Sequence, residues 1–120
     1  MGIKLSLATI NVKDIERSIA FYRDALGLEV SEQFEMEGMK IAMLGDAELA
    51  RVELIQAPEL PEGPLGGGVR IGFVTDDIAP IRDALGDALI ALDVPNPMFN
   101  FFAATDPDGY AIELMETAGQ

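Results

Sequence analysis

Residues 3–12, "IKLSLATINV", alternate apolar and polar side chains and favour β-branched types, which predicts a strand. The period then changes. Ile15, Ile19, Tyr22 and Leu26 recur at i, i+4, i+7 and i+11, the buried stripe of one helix. Asp14 is placed to cap that helix, and Gly27 to end it in the left-handed conformation. Three more strands are predicted near 28–36, 39–45 and 48–57, broken near Gly38 and at Gly45-Asp46. The next stretch, "APELPEGPLGGG" at 57–68, has no periodicity and holds three prolines and four glycines. It reads as a linker, because it lacks the lysine and the strand-to-helix setting of a phosphate-cradling loop.

The same order then repeats. A strand at 69–75 leads to a helix capped by Asp76 or Asp77, with Ile78, Ile81 and Leu85 as its stripe and Gly86 at its end. Pro80 falls in the first turn, where its missing N–H does little harm. Strands follow near 87–92, 98–105 and 110–116. The turn "DPDG" at 106–109 joins the last two, with Pro107 supplying the φ a turn wants. Laying Asp14 on Asp77 aligns "INVKDIE" with "FVTDDIA" and sets Leu7 on Arg70; laying "VELI" on "IELM" sets Glu53 on Glu113. The prediction is a single α+β domain of two tandem βαβββ modules, 1–57 and 69–120, joined by the linker 58–68.

Composition narrows the chemistry. The chain has neither cysteine nor histidine. That excludes disulfides, thiolate metal sites and cysteine nucleophiles, and removes the commonest general base and transition-metal ligand. The formal charge of −13 opposes nucleic acid and anionic membrane and favours cationic ligands. No apolar run approaches the ~18 residues of a membrane span, and no signal-peptide layout stands at residue 1, so a cytoplasmic address is expected. Met1-Gly2 with Ser6 has the letters of a myristoylation motif but runs straight into the strand pattern, and is read as coincidence.

Glu53 in "RVELIQA" and Glu113 in "YAIELMET" each stand inside an otherwise apolar strand, a costly place for a carboxylate without a partner. Strand alternation sets Glu53 on a face with Arg51 and Ile55, and Glu113 with Ala111 and Met115. Leu7 lies with Leu5, Thr9 and Asn11, and Arg70 between Gly68 and Gly72, which leave room beside it. In "NPMFNFFAATD" Phe99 and Phe101 point one way and Phe102 the other, either as core or as an aromatic wall for a flat ligand or a partner subunit. Asn11, Tyr22 and Tyr110 are further polar handles.

"LATINVKDIERSIAFYRDALGLEV" together with "FFAATDPDGYAIELMET" resembles the glyoxalase, bleomycin-resistance and extradiol-dioxygenase (vicinal oxygen chelate) superfamily over nearly the whole chain. The resemblance implies paired βαβββ modules curled into a ligand-binding cup. It also implies a homodimer, in which the first module of one subunit pairs with the second of its partner. Metal-using members place four ligands in the cup, at positions that here are Leu7, Glu53, Arg70 and Glu113. The two glutamates fit that pattern; a leucine and an arginine replace its two histidines. Leucine cannot ligate, and a guanidinium ~4 Å from a divalent ion is opposed by roughly 8 kcal/mol at an effective dielectric near 20. No metal and no cofactor are therefore expected.

The function this implies is metal-independent binding or sequestration of a small, cationic or aromatic molecule, with Leu7, Glu53, Arg70, Phe99, Phe101 and Glu113 as ligand-binding residues. The competing class is a lyase, isomerase or dioxygenase that uses Glu53 or Glu113 with a metal or as general base. In a third reading Arg70 and the two glutamates form an internal ion cluster that plugs the cup, leaving an interaction protein.

Overall fold

The computed structural model describes residues 5–46, 48–59, 65 and 68–117. The chain divides into two compact units, Met1–Gly63 and Pro64–Gln120. In the first, strands β1 (Leu7–Asn11), β2 (Val30–Met36), β3 (Met39–Leu44) and β4 (Arg51–Gln56) form a sheet of order β1-β4-β3-β2. β1 runs parallel to β4 and the other pairs are antiparallel. Residues 3 and 4 of the predicted first strand, and most of the predicted linker, lie outside the described residues.

Helix α1 (Ile15–Ile19) begins where predicted, because the Asp14 carboxylate accepts the N–H groups of Glu16 and Arg17 at 3.1 and 3.3 Å. It continues as a wider π-helical turn over Ala20–Ala25, with the Leu26 N–H bonded five residues back to the Phe21 carbonyl at 3.2 Å. The wider turn leaves Leu26 half-buried, while Ile15, Ile19 and Tyr22 are fully buried. At Gly27 (φ +84°) the chain reverses, and the Leu28 N–H closes on the Tyr22 carbonyl at 3.0 Å. Ile10, Val12, Ala42, Leu44, Val52 and Leu54 form the sheet's share of this core. Burying each large side chain contributes roughly 1.5–3 kcal/mol. β4 starts at Arg51 rather than near 48, since Asp46 holds a turn by accepting the Leu49 N–H on its carbonyl and the Glu48 N–H on its carboxylate, both at 2.9 Å.

The second unit repeats the plan with β5 (Arg70–Thr75), β6 (Ile90–Leu92), β7 (Phe99–Thr105) and β8 (Ala111–Thr117) in the order β5-β8-β7-β6. Helix α2 (Ala79–Leu85) has Ile78, not Asp76 or Asp77, at its cap position. Asp77 sits one residue further out and accepts the Ala79 N–H at 3.0 Å. Gly86 (φ +55°) ends α2 but opens a 3₁₀ turn, Gly86–Ala88, which consumes the start of the strand predicted at 87–92 and leaves three residues for β6. In the 106–109 turn the buried Asp106 carboxylate accepts the N–H groups of Asp108 and Tyr110, each at 2.9 Å, so an aspartate braces the turn that Pro107 pre-bends.

The repeat also shows where each helix begins. The Ile15 N–H donates to Gln56 Oε1 at 2.8 Å, and the Ile78 N–H to Glu116 Oε2 at 2.9 Å. In each unit the last strand thus supplies an acceptor for an otherwise orphaned helix N–H. No helix among the described residues is long and apolar enough to cross a membrane.

Candidate functional site

Each sheet packs its helix on one face, and every sequence-predicted site residue lies on the other, helix-free face. Cross-strand register arranges the first such face in rows. Leu7 stands beside Arg51; Thr9, Glu53, Met43 and Glu32 form the next row; Asn11, Ile55, Ile41 and Phe34 form the third. The second face has Arg70 beside Ala111 and Thr105, then Gly72, Glu113, Ala103 and Ile90, then Val74, Met115, Phe101 and Leu92, with Phe99 opposite Thr117. The two glutamates hold the same register position in their sheets.

Their surroundings differ. Thr9 Oγ1 donates to Glu53 Oε1 at 2.6 Å, a short charge-assisted bond that fixes one carboxylate oxygen. Arg51, two residues before Glu53 on the same face, does not pair with it. Its guanidinium reaches over β3 to β2, where Nη1 lies 3.1 Å from Glu32 Oε2 and donates to Ser31 Oγ at 3.3 Å. Ser31 Oγ in turn donates to the Met43 carbonyl at 3.1 Å. The Arg51 side chain is 15 % exposed, and its Nε is buried with no hydrogen-bond partner among the described residues. Gly45 (φ +114°) lies alongside the arginine stem, and a Cβ there would only touch Arg51 Cγ at 3.5 Å.

On the second sheet Gly72 takes the place of Thr9 and offers Glu113 no hydroxyl. Glu113 Oε2 lies 3.8 Å from Arg70 Nη1 instead, and that arginine side chain is 70 % exposed. Arg70 and Ala111, with Gly68 and Val69, line a surface depression of about 430 Å³. The half-buried rings of Phe99 and Phe101 meet edge-on with centroids 6.3 Å apart. Phe102 points into the helix-side core, where the Arg82 guanidinium sits 5.4 Å from its ring centroid. Tyr22 and Tyr110 are buried and Asn11 is exposed on the helix-free face.

The four positions at which metal-using members would carry ligands supply two carboxylate donors, one alkyl side chain and one fixed cation, a set that does not fit a transition metal. Among the described residues no three acidic side chains cluster closely enough to hold a metal ion. Sequence reasoning missed the roles of Thr9, Arg51 and Glu32. Alternation places Thr9 and Arg51 on helix-free faces, but only the register brings Thr9 to Glu53 and carries Arg51 away from it.

Comparison with known proteins agrees with this architecture. The model of the Glyoxalase/Bleomycin resistance protein/Dioxygenase superfamily matches residues 4–114. A lactoylglutathione lyase of Oryza sativa subsp. japonica is 30 % identical over 91 % of this chain and 43 % of its own length. The Bacillus subtilis (strain 168) protein YwbC is 30 % identical over 97 % of this chain and 99 % of its own. Among solved structures, glyoxalase I from Zea mays superposes with a TM-score of 0.78 at 23 % identity, covering 98 % of this chain and 46 % of the maize chain. TnmS3, an antibiotic-binding protein from Streptomyces sp. CB03234, superposes with a TM-score of 0.72 at 22 % identity and covers 98 % and 99 % of the two chains. The chain spans less than half the length of the rice and maize proteins. Its tandem βαβββ sheets and the match over nearly all of its length make it a member of the glyoxalase/bleomycin-resistance/dioxygenase superfamily.

Proposed function

We propose that this chain binds or sequesters a small, cationic and partly aromatic molecule without a metal ion, using the helix-free faces that carry Leu7, Glu53, Arg70, Phe99, Phe101 and Glu113. One observation carries the reading: where a metal-binding relative needs four donors, this chain offers two carboxylates, a leucine and an arginine. The apolar rows beside each glutamate, with Phe99 and Phe101 edge-on, suit a flat ligand, and the charge of −13 suits a cation. TnmS3, of the same fold and length, binds an antibiotic. The exposed apolar side chains Phe34, Met36, Ile90 and Leu92 support assembly as a homodimer, which would cover such edges.

A calorimetric screen of bleomycin-type drugs against acyl-CoA and other anionic metabolites tests the binding. Saturable binding of a cationic drug is the expected result; tight binding of the anions centred on Arg70 overturns it. The similarity to a lactoylglutathione lyase favours a second reading, a lyase, isomerase or dioxygenase acting through Glu53 or Glu113. Elemental analysis of the dialysed protein separates the two, since about one transition metal per chain would put the enzyme first.

A further inference from the structure

The two glutamates are not equivalent as acceptors. Glu113 has a cation within reach, Arg70 at 3.8 Å, whereas Glu53 receives only the Thr9 hydroxyl among the described residues. The absence of a cation at Glu53 is not for want of one nearby. Arg51 stands two residues away on the same face, but Glu32 and Ser31 hold its guanidinium over β2. The Thr9 bond occupies Oε1 and orients the carboxylate, leaving Oε2 as a positioned acceptor on a half-buried side chain. The row beside it is apolar, running Ile55, Ile41, Phe34, with the Phe34 ring partly exposed. Phe34 and Glu53 are two strands and one row apart, roughly 12 Å between backbones, close to what one aromatic ring with a cationic substituent fills between the two side chains.

From this we infer that Glu53, and not Glu113, takes the cationic group of the ligand, with Thr9 as its positioning residue and the Glu32–Arg51 pair keeping the neighbouring arginine off the carboxylate. This rests on the proposed binding of a cationic aromatic molecule and names the acceptor within it. An amidinium or guanidinium group matches best, because its paired N–H donors fit a carboxylate edge.

The test is an NMR titration of the whole chain with benzamidinium. Saturable shifts of the Thr9, Met43, Glu53 and Ile55 signals are expected. E53Q should weaken the apparent affinity by about tenfold or more, as loss of a charge-assisted bond predicts, and by clearly more than E113Q does. E32A should weaken binding although Glu32 does not touch the probe, because it frees Arg51 to pair with Glu53. T9V should weaken it too, with T9S restoring it, which a merely structural role for the residue would not produce. Shifts centred on Glu113, no saturable shift at Glu53, or E53Q binding like the parent overturns the inference. The outcome is separable from the drug screen. Benzamidinium binding at Glu53 while the anionic metabolites, and no drug, bind tightly refutes the proposed function alone; drug binding that E53Q leaves intact refutes this inference alone.

Discussion

On the first sheet Glu53 stands between the hydroxyl of Thr9 and the thioether of Met43; on the second, Glu113 stands between Gly72 and Ala103. The backbone register is the same, and so is the way each unit starts its helix, with Gln56 or Glu116 accepting an N–H of Ile15 or Ile78. What the repeat keeps is the strand register, the buried aliphatic pairs Val52/Ile112 and Leu54/Leu114, and an acceptor for each helix N–H. What it varies is the free face. The helix side of a sheet is constrained by packing and by helix N–H groups that need acceptors, whereas a side chain on the other face answers to whatever it binds. The two arginines illustrate this. Arg51 is pinned and largely buried; Arg70 is mostly exposed beside its glutamate.

The largest expected effects lie in the cores. Leu54 and Leu114 are repeat-related and both fully buried, and Leu→Ala at either should cost about 2–5 kcal/mol. Among the described residues, seven of the nine largest fully buried side chains belong to the first unit, Tyr22, Ile15, Ile19, Leu44, Leu54, Val12 and Ser18, and Ile112 and Leu114 to the second. L54A should therefore lie at the upper end of the range and L114A at the lower, since the looser surroundings can relax into the space. Guanidinium unfolding of both variants checks the order, and equal losses would mean that the two cores are equally tight.

The arginines come next. Glu32→Ala takes from the largely buried Arg51 the carboxylate that holds it, and should cost about 1–2 kcal/mol even though Glu53 can then receive the guanidinium. Arg51→Met removes the charge and the orphaned Nε while filling the same space, and should be close to neutral, because the Glu32 carboxylate it leaves behind is 54 % exposed and keeps its hydration. Arg70→Met should change stability by less than about 0.5 kcal/mol, as expected of an exposed pair. If R51M proves costlier than E32A, the arginine is held for its hydrogen bonds rather than tolerated beside them.

Much of this was legible in the sequence for stated physical reasons. The Ile15–Ile19–Tyr22 stripe, Gly27 and the DPDG turn are local signals, and local signals set local structure. The doubled glutamate is a register signal, because "VELI" and "IELM" carry it at the same strand position. The same two strands held a second clue that went unread: three residues on, Gln56 and Glu116 are again polar at matching positions, and both turn out to accept a helix N–H. The direction of Arg51 was not legible. Alternation places it beside Glu53, but its rotamer is decided by Glu32 and Ser31 on β2. The π-helical turn and the shortened β6 were equally hidden, because each depends on how one segment settles against the next.

A last, small and stabilising effect concerns a difference between the two units' hairpins. β2 and β3 are joined by Glu37 and Gly38 alone, with Met36 paired to Met39 and φ values of +51° and +82° at the two turn residues. Two consecutive positive φ angles are the mark of a type I′ turn, which prefers Asn-Gly because asparagine enters the left-handed region more readily than glutamate. Gly38 is fixed by its φ, and an added Cβ would also press on Pro58 Cγ at 3.3 Å. Glu37 is therefore the adjustable position. β6 and β7 are instead joined through residues 93–98, which include Pro95 and Pro97, and offer no such tight turn to improve. Glu37→Asn should stabilise the chain by about 0.5 kcal/mol without touching the Glu53 row, read as a higher denaturant midpoint at unchanged slope. A lower midpoint would show that the Glu37 side chain contributes more to the hairpin than its backbone strain removes.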